Sequence, residues 1–254
     1  MNLLPDKPIV LTIAGFDPSG CAGLLADIKT FEASGVYGMA VCTANTEQNI
    51  AVFQATNWIK RQQIFNQLSL LQKEVNFEFV KIGLIESLDL LNELADKLIA
   101  SNSSVKIVWD PVCKATANFV FHAGLDKMLL ESVCRKLYLI TPNLDELAIL
   151  APGLEVHEAG KYLAQFCHVL VKGGHGNTHK STDILFSKEG QQVFEAERLN
   201  AYSKRGTGCV MASAIVANLA KGNDLEQACA NAKEYVREYL VSNHSLVGIH
   251  SYEN

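Results

Sequence analysis

Short apolar runs alternate with longer segments of helical periodicity along most of the chain. The apolar runs have the length of buried strands and cover residues 9–14, 36–43, 77–82, 105–110, 137–143 and 168–174. The segments that alternate with them place apolar residues at helix-face spacing and cover residues 21–34, 58–75, 88–100, 125–134 and 158–166. Nearly continuous apolar strands that alternate with helices are typical of a parallel sheet covered on both faces. The pattern therefore predicts a three-layer, doubly wound α/β fold.

The pattern changes in the last third of the chain. Two short apolar runs, at 183–187 and 191–196, are joined by a turn sequence that ends in Gly190, which predicts an antiparallel edge hairpin near 183–197. Helical periodicity then covers residues 209–221 and 225–242. We find no linker, charge block or internal repeat, and 48% apolar residues suffice for one large core. We expect a single domain over residues 1–254.

Composition narrows the class of protein. A net charge of −5 argues against a broad nucleic-acid surface, which needs an excess of Lys and Arg. No segment approaches the ~18 apolar residues of a membrane helix, and the first residues do not form a signal peptide. We expect a cytoplasmic protein without nucleic-acid or membrane partners. The cysteines are scattered, without a C-x-x-C pair, and we expect free thiols at Cys21, Cys42, Cys113, Cys134, Cys167, Cys209 and Cys229.

The predicted strand ends carry the candidate chemistry. In a doubly wound sheet, ligands bind beyond the carboxyl ends of the strands. The corresponding segments are rich in Gly, Asn, Thr and acidic residues, and they cover 14–20, 43–49, 81–83, 110–112, 141–146 and 172–175. We expect the functional site among them.

Two nucleotide-binding motifs are incomplete. Gly15 and Gly20 have the spacing of a P-loop, but Cys21 and Ala22 follow where Lys and Ser or Thr are required. A possible dinucleotide fingerprint begins at Gly206 but has Met211 in the place of its third glycine. The H-E-x-x-H motif of zinc enzymes and the G-x-S-x-G elbow of hydrolases are also absent from the sequence.

A glycine-rich turn, Gly206-Thr207-Gly208-Cys209, runs directly into a predicted helix. Unpaired amide groups and the positive end of the helix dipole make such a helix start an anion site. Cys209 belongs to the first turn, where the pKa of a thiol tends to be lowered. The alternative is a glycine turn beside a small buried cysteine, which is common.

Polar residues at other strand ends have two interpretations each. Asp110, Asn143 and Glu146 are suited to Mg²⁺ beside triphosphate oxygens, while Asn143 and Glu146 equally fit a helix capping box. Lys172 either neutralises phosphate or extends to solvent. Asp27 is either functional or a solvated helix acid, and Gln48 is either functional or a turn residue.

The motifs taken together resemble the ribokinase-like superfamily and, within it, the hydroxymethylpyrimidine/phosphomethylpyrimidine kinases of thiamine biosynthesis. The resemblance rests on LTIAGFDPSGCAGLLADIKTFEASGVYGMAVCTANTEQN (11–49), KIGLIES (81–87), VWDPVCKAT (108–116), LITPNLDEL (139–147), VLVKGGH (169–175) and RGTGC (205–209). These segments occur in the order of the family and cover most of the chain. The resemblance implies a ribokinase-like fold and phosphorylation of a pyrimidine alcohol, and of its monophosphate in many relatives.

The resemblance also implies a role for each matching residue. The anion hole corresponds to Gly206, Thr207 and Gly208, and Cys209 occupies the position of the catalytic base. The substrate pocket corresponds to Gly15, Asp27, Gln48, Leu84 and Val112. The ATP side corresponds to Asp110, Thr116, Asn143, Glu146, Lys172 and Gly174, with Asp110 and Glu146 toward Mg²⁺.

Several residues depart from the family pattern. Phe16 stands where a small Ser is usual, Cys21 where Gly is usual, and Leu84 where a Met usually touches the pyrimidine ring. The resemblance leaves a pyridoxal or pyridoxine kinase as the nearest alternative, and a kinase-like binding protein without turnover as a second one. Relatives of this kind are often dimers, which makes a homodimer an expectation.

Overall fold

Nine strands form one sheet in the computed structural model, which describes residues 4–112, 126–173, 180–199 and 204–251. The sheet has the order β3-β2-β1-β4-β5-β6-β7-β8-β9. The strands are β1 (Ile9–Phe16), β2 (Tyr37–Gln48), β3 (Phe53–Trp58), β4 (Phe79–Ile82), β5 (Lys106–Trp109), β6 (Leu139–Ile140), β7 (His168–Lys172), β8 (Lys180–Phe186) and β9 (Gln191–Glu197).

Helices cover both faces of the sheet. They are α1 (Gly23–Ala33), α2 (Arg61–Leu71), α3 (Leu88–Ser101), α4 (Lys127–Cys134), α5 (Leu144–Leu150), α6 (Val156–Leu163), α7 (Thr207–Ala220) and α8 (Leu225–Val241). Buried side chains of α2 to α6 join one apolar cluster, and those of α1, α7 and α8 join a second on the opposite face. Each inner strand is therefore buried on both sides, which explains its continuous apolar sequence. Among the described residues, no helix has the length and hydropathy that a membrane crossing needs.

The centre of the sheet is parallel and both edges are antiparallel. Strands β2, β1, β4, β5, β6 and β7 run parallel, and the β8–β9 hairpin pairs antiparallel with β7. This confirms the predicted α/β class and its edge hairpin. The end of β2, from Ala44 onward, also pairs antiparallel with β3, and the sequence analysis did not predict this pair. Its turn is closed by Asn49, whose Oδ1 accepts hydrogen bonds from the amides of Ala51 and Val52 at 2.8 Å.

The strand order reverses between β1 and β4, where chain connections leave toward opposite faces. A crevice opens beyond the carboxyl ends of the strands at such a point. The residues after β1, β4 and β5, together with the end of β2, surround this crevice. The helix α7 begins at Thr207 above the same edge. The topology thus gathers segments that are far apart in the sequence into one region.

Candidate active site

A cavity of about 270 Å³ lies at the carboxyl edge of the parallel strands. Most of the sequence-predicted site residues line it: Gly15, Gln48, Leu84, Asp110, Val112, Asn143, Glu146, Lys172, Gly206, Gly208 and Cys209. Residues to which the sequence analysis assigned no individual role complete the lining: Asp17, Cys21, Ala22, Gly23, Thr46, Phe53, Lys81 and Arg205. Thr116 and Gly174 lie outside the described residues. The binding roles of these residues stay predictions, but the structure brings them to one place.

The glycine turn before α7 has a conformation that only glycine adopts readily. Gly206 is left-handed, with φ of +74°, and a Cβ there would lie 1.8 Å from the carbonyl oxygen of Cys21. A Cβ on Gly208 would lie 3.2 Å from Nζ of Lys172. The backbone of the turn therefore approaches a lysine directly. The turn stands at the positive end of the α7 dipole, an arrangement that favours anions, and its role as an anion site stays a prediction.

The loop after β1 is held by Asp17, which is buried. Its Oδ1 accepts hydrogen bonds from the amide and hydroxyl of Ser19 at 2.8 and 2.7 Å, and its Oδ2 accepts from the amide of Ala22 at 3.0 Å. A Cβ on Gly23 would lie 2.2 Å from the carbonyl oxygen of Gly15. The start of α1 is consequently packed against the end of β1. This loop also contacts the backbone at Gly206 through the carbonyl of Cys21.

Lys172 ends β7 and pairs with Asp110, which follows β5. Its Nζ lies 2.7 Å from Oδ1 of Asp110, and that oxygen also accepts a hydrogen bond from the hydroxyl of Thr141 at 3.0 Å. Burial favours a neutral carboxyl, but Lys172, Lys81 and these hydrogen bonds outweigh it, and the pKa of Asp110 is lowered. The ammonium faces the cavity instead of extending to solvent. Oδ2 of Asp110 accepts no hydrogen bond from the described residues and lies 3.8 Å from the position that a Cβ on Gly208 would take.

Asn143 and Glu146 form the capping box of α5, as one sequence interpretation expected. The amide of Glu146 donates to Oδ1 of Asn143 at 2.9 Å, and the amide of Asn143 donates to Oε2 of Glu146 at 2.8 Å. Both residues also line the cavity. Burial, reinforced by the charge of Asp110 and opposed by Lys172, raises the pKa of Glu146 to about 7.

The carboxylates of Asp110 and Glu146 fit a magnesium ion. Mg²⁺ in phosphoryl-transfer sites takes one or two carboxylates and completes its shell with water and phosphate oxygens. Two buried carboxyl groups share one wall of the cavity, and the negative charge of Asp110 contributes to the raised pKa of Glu146. A divalent cation held by these two residues would reduce that repulsion. Among the described residues no cluster of three or more such ligands exists, so the remaining ligands would come from nucleotide and water.

Cys209 occupies the first turn of α7, yet the surroundings of its thiol favour the protonated form. Burial raises its pKa to about 11; Lys81 opposes this, whereas Asp110 and Asp27 add to it. The sequence analysis expected the helix start to lower this pKa. That expectation is wrong, because desolvation of a thiolate among carboxylates outweighs the nearby cation.

The sequence analysis placed segment 81–83 near the site but missed the role of Lys81. It lies in the apolar strand β4, is fully buried, and donates to both carboxylate oxygens of Asp27 at 2.8 and 2.9 Å. Thr12 and Ser213 also donate hydroxyl hydrogen bonds to Asp27, at 2.7 and 2.8 Å. Asp27 is therefore a buried partner behind Lys81 and not a solvated acid. A lone lysine inside an apolar strand was the available signal.

The wall opposite Lys172 is formed by the ends of β1 and β2 and the segment after β4. Gln48 is positioned through a hydrogen bond from its Nε2 to the hydroxyl of Thr46 at 3.0 Å. The hydroxyl of Thr43 donates to the carbonyl of Leu84 at 2.6 Å, which fixes that segment beside β2. A Cβ on Gly15 would lie 2.9 Å from Cδ2 of Leu84, so only glycine leaves this wall undisturbed.

Comparison with known proteins shows the family of this chain. The sequence model of the phosphomethylpyrimidine kinase family matches residues 17–252. The chain belongs to the phosphomethylpyrimidine kinase family. The hydroxymethylpyrimidine/phosphomethylpyrimidine kinase of Staphylococcus aureus strain MRSA252 is 35% identical over 242 residues, which cover 91% of this chain and 87% of that protein.

The fold of this chain resembles solved structures of both phosphomethylpyrimidine kinases and pyridoxal kinases. The phosphomethylpyrimidine kinase of Clostridium difficile 630 superposes with a TM-score of 0.75 at 31% identity, covering 91% of this chain and 99% of that chain. An ADP complex of Bacillus subtilis pyridoxal kinase gives a TM-score of 0.83 at 28% identity, covering 97% and 98%. Membership of this family makes the chain a phosphotransferase with the ribokinase-like fold, and connects it with thiamine biosynthesis.

Proposed function

We propose that the protein transfers the γ-phosphoryl group of ATP to the hydroxymethyl group of 4-amino-5-hydroxymethyl-2-methylpyrimidine, and then to the resulting monophosphate. One observation carries this proposal: a single cavity is lined by the glycine turn before α7, by a lysine and two carboxyl groups, and by glycine, amide and apolar residues. The named relatives, which act on a hydroxymethylpyrimidine and a phosphomethylpyrimidine, support the choice of substrates.

ATP occupies the wall formed by Lys172, Asn143 and the two carboxylates in this proposal. Lys172 keeps its proton, because Asp110 and Glu146 outweigh the effect of burial and raise its pKa. Its ammonium is therefore available to the triphosphate. Asp110 and Glu146 would hold Mg²⁺, which supplies charge neutralisation at the phosphates when it is bound. The ADP complex of the pyridoxal kinase relative supports nucleotide use by this fold.

The pyrimidine occupies the opposite wall, formed by Gly15, Gln48, Leu84 and Val112. The amide of Gln48 offers both a donor and an acceptor, which suits the amino group and ring nitrogen of an aminopyrimidine. Leu84 and Val112 offer apolar contact to the ring. Asp27 acts through Lys81 in this arrangement, since it is fully buried and Lys81 lies between it and the cavity.

The turn Gly206–Cys209 acts on the migrating phosphoryl group. Phosphoryl transfer requires that the attacking oxygen is aligned with the γ-phosphorus and that charge at the equatorial oxygens is neutralised. Preorganised backbone amides stabilise that charge. In its thiolate form, Cys209 accepts the proton of the alcohol. With a pKa of about 11 that form is scarce at neutral pH, roughly one molecule in 10⁴. Because the transition state is loose and the alcohol proton leaves late, a minor thiolate population can still serve.

The test is to incubate the protein with Mg²⁺, ATP and either the pyrimidine alcohol or pyridoxal, and to follow ADP release and product mass. We expect ADP release with the pyrimidine alcohol and products carrying one and then two phosphates. Cys42→Ala, which changes a cysteine outside the cavity lining, serves as the matched control for Cys209 variants. A higher kcat/KM for pyridoxal would show a pyridoxal kinase, and no ADP with either alcohol would overturn the proposed reaction.

A further inference from the structure

Arg205 lines the cavity between the glycine turn before α7 and the turn that joins β2 to β3. It immediately precedes the anion turn, and its backbone amide donates to the carbonyl of Leu246 at 2.9 Å. Its side chain reaches the other way, where Nη2 donates to the carbonyl of Ala51 at 3.0 Å. Ala51 belongs to the turn that joins β2 to β3. The side chain of Arg205 thus extends from the glycine turn to the β2–β3 hairpin.

The charge of Arg205 distinguishes it from the other cations of the cavity. Lys81 is paired with Asp27, and Lys172 is paired with Asp110. Arg205 forms no ion pair with any residue in the part of the chain that the structure describes. A guanidinium has five donors in a planar fork, and the bond to Ala51 uses one of them. The remaining donors are available to an anion.

The direction of the side chain assigns it to the acceptor substrate. The hairpin that Arg205 contacts follows Gln48 on β2 and leads into Phe53 on β3, and both residues line the cavity. Lys172, Asn143 and Glu146, which face the proposed nucleotide, belong to the strand ends on the other side of the sheet's switch point. The unpaired cation is therefore on the side of the accepting molecule.

We propose that Arg205 binds the phosphate of a phosphomonoester acceptor and thereby determines whether the monophosphate is used in the second transfer. This inference rests on the proposed function. In that transfer a non-bridging oxygen of the acceptor phosphate forms the new bond to the γ-phosphorus, and the bond from that phosphorus to the β–γ bridging oxygen breaks. Phosphate monoesters are mostly dianionic at neutral pH, so no proton has to be removed.

A dianionic acceptor requires a compensating positive charge in the site, whereas the neutral alcohol does not. The monophosphate brings negative charge next to the triphosphate, and like charges at close distance repel strongly in a partly desolvated site. A guanidinium at the acceptor side offsets that repulsion through paired, charge-assisted hydrogen bonds. The alcohol carries no such charge, and its binding does not require Arg205. The second transfer therefore depends on this residue far more than the first.

The test compares both acceptors, supplied separately, in wild type, Arg205→Gln, Arg205→Lys and the surface control Arg61→Gln. We expect Arg205→Gln to raise KM for the monophosphate by about 10- to 100-fold, the scale of charge-assisted hydrogen bonds, with KM for the alcohol within about threefold. Arg205→Lys keeps the charge without the planar fork, and we expect an intermediate KM. Arg61 pairs with Glu93 on the surface, and its variant should match wild type.

Calorimetric titration of the alcohol and of the monophosphate into wild type and Arg205→Gln gives the same comparison without turnover. A selective loss of monophosphate affinity supports the proposal. An equal loss for both ligands overturns it, because Arg205 would then act by holding the hairpin through Ala51. Wild type that binds and phosphorylates the alcohol but not the monophosphate also overturns it. Absence of turnover with either acceptor counts against the proposed function, while the titration still decides the role of Arg205.

Discussion

Lys81 and Asp27 form an ion pair in which both side chains are completely buried, with Nζ 2.8 and 2.9 Å from the two carboxylate oxygens. The pair joins β4 to α1, and the hydroxyl of Ser213 connects it to α7. Asp27, Cys209 and Asp110 outweigh the effect of burial and raise the pKa of Lys81, which keeps its charge. A single buried pair thus fixes three elements around the cavity and provides a cation beside Cys209.

Lys81→Met should lower the free energy of unfolding by about 3–5 kcal/mol, because it leaves the Asp27 carboxylate buried without its cation. Urea denaturation measures this loss. Removing both charges with Lys81→Met and Asp27→Leu together should destabilise less than Lys81→Met alone, since no uncompensated charge remains. Arg61→Gln, which breaks the exposed pair with Glu93, is the matched control and should cost at most about 1 kcal/mol. Equal losses for Lys81→Met and the control would contradict this interpretation.

The thiol of Cys209 should titrate unusually high in the ligand-free protein. Burial raises its pKa to about 11, so the thiol form predominates at neutral pH and the reactive thiolate increases as the pH rises. The rate of iodoacetamide alkylation should increase about tenfold per pH unit from pH 7 to pH 10 without a plateau. Subtracting the rate of Cys209→Ser removes the contribution of the other cysteines. A plateau near pH 8 would show that the helix start dominates over burial.

The two proposed transfers should depend differently on Cys209. Cys209→Ala should lower kcat for the alcohol by about 10²–10⁴-fold, the usual effect of removing a general base. The monophosphate is already deprotonated near neutral pH, and its transfer should fall by a much smaller factor. Steady-state kinetics with each acceptor, and with Cys42→Ala as control, measure both. Near-wild-type turnover of the alcohol, or equal losses with both acceptors, would show that Cys209 is not the base.

The central strands were predictable because each is buried on two faces, and uniform burial gives an apolar run that is visible in the sequence. The β2–β3 hairpin was not, because β3 lies at the edge of the sheet and all of its residues, Phe53–Trp58, are partly buried or exposed. A partly exposed edge strand has a weak hydrophobic pattern. The sequence predicted a helix from residue 58, whereas α2 begins at Arg61.

The site was predictable to the extent that strand ends determine it. The carboxyl-end rule and the family resemblance brought Asp110, Lys172 and Gly206 together without knowledge of any distance. The partnership of Lys81 with Asp27 spans 54 positions in the chain and needs the actual packing of α1 on the sheet. The pKa of Cys209 also depends on packing, because the helix-start argument counts the dipole but not the burial that outweighs it.

Gly206→Ala should damage the anion turn in a way that ordinary backbone strain does not. Its φ of +74° disfavours any side chain by about 1–2 kcal/mol, and the added Cβ would lie 1.8 Å from the carbonyl oxygen of Cys21. Backbone atoms of the turn must then move away from the β1 loop, and the amides lose their alignment with the phosphoryl group. We expect kcat to fall by about 10²-fold or more, the scale of losing one oxyanion donor.

Gly222→Ala is the matched control for this substitution. Gly222 has a left-handed φ of +91°, but nothing lies within 4 Å of the position that its Cβ would take. The variant has comparable strain without the clash, and we expect a loss of about 1–2 kcal/mol in the free energy of unfolding with kcat unchanged. Measuring kcat and the urea midpoint for both variants separates the two effects. If the two glycine variants lose stability and kcat equally, the position of the Gly206 turn does not control phosphoryl transfer.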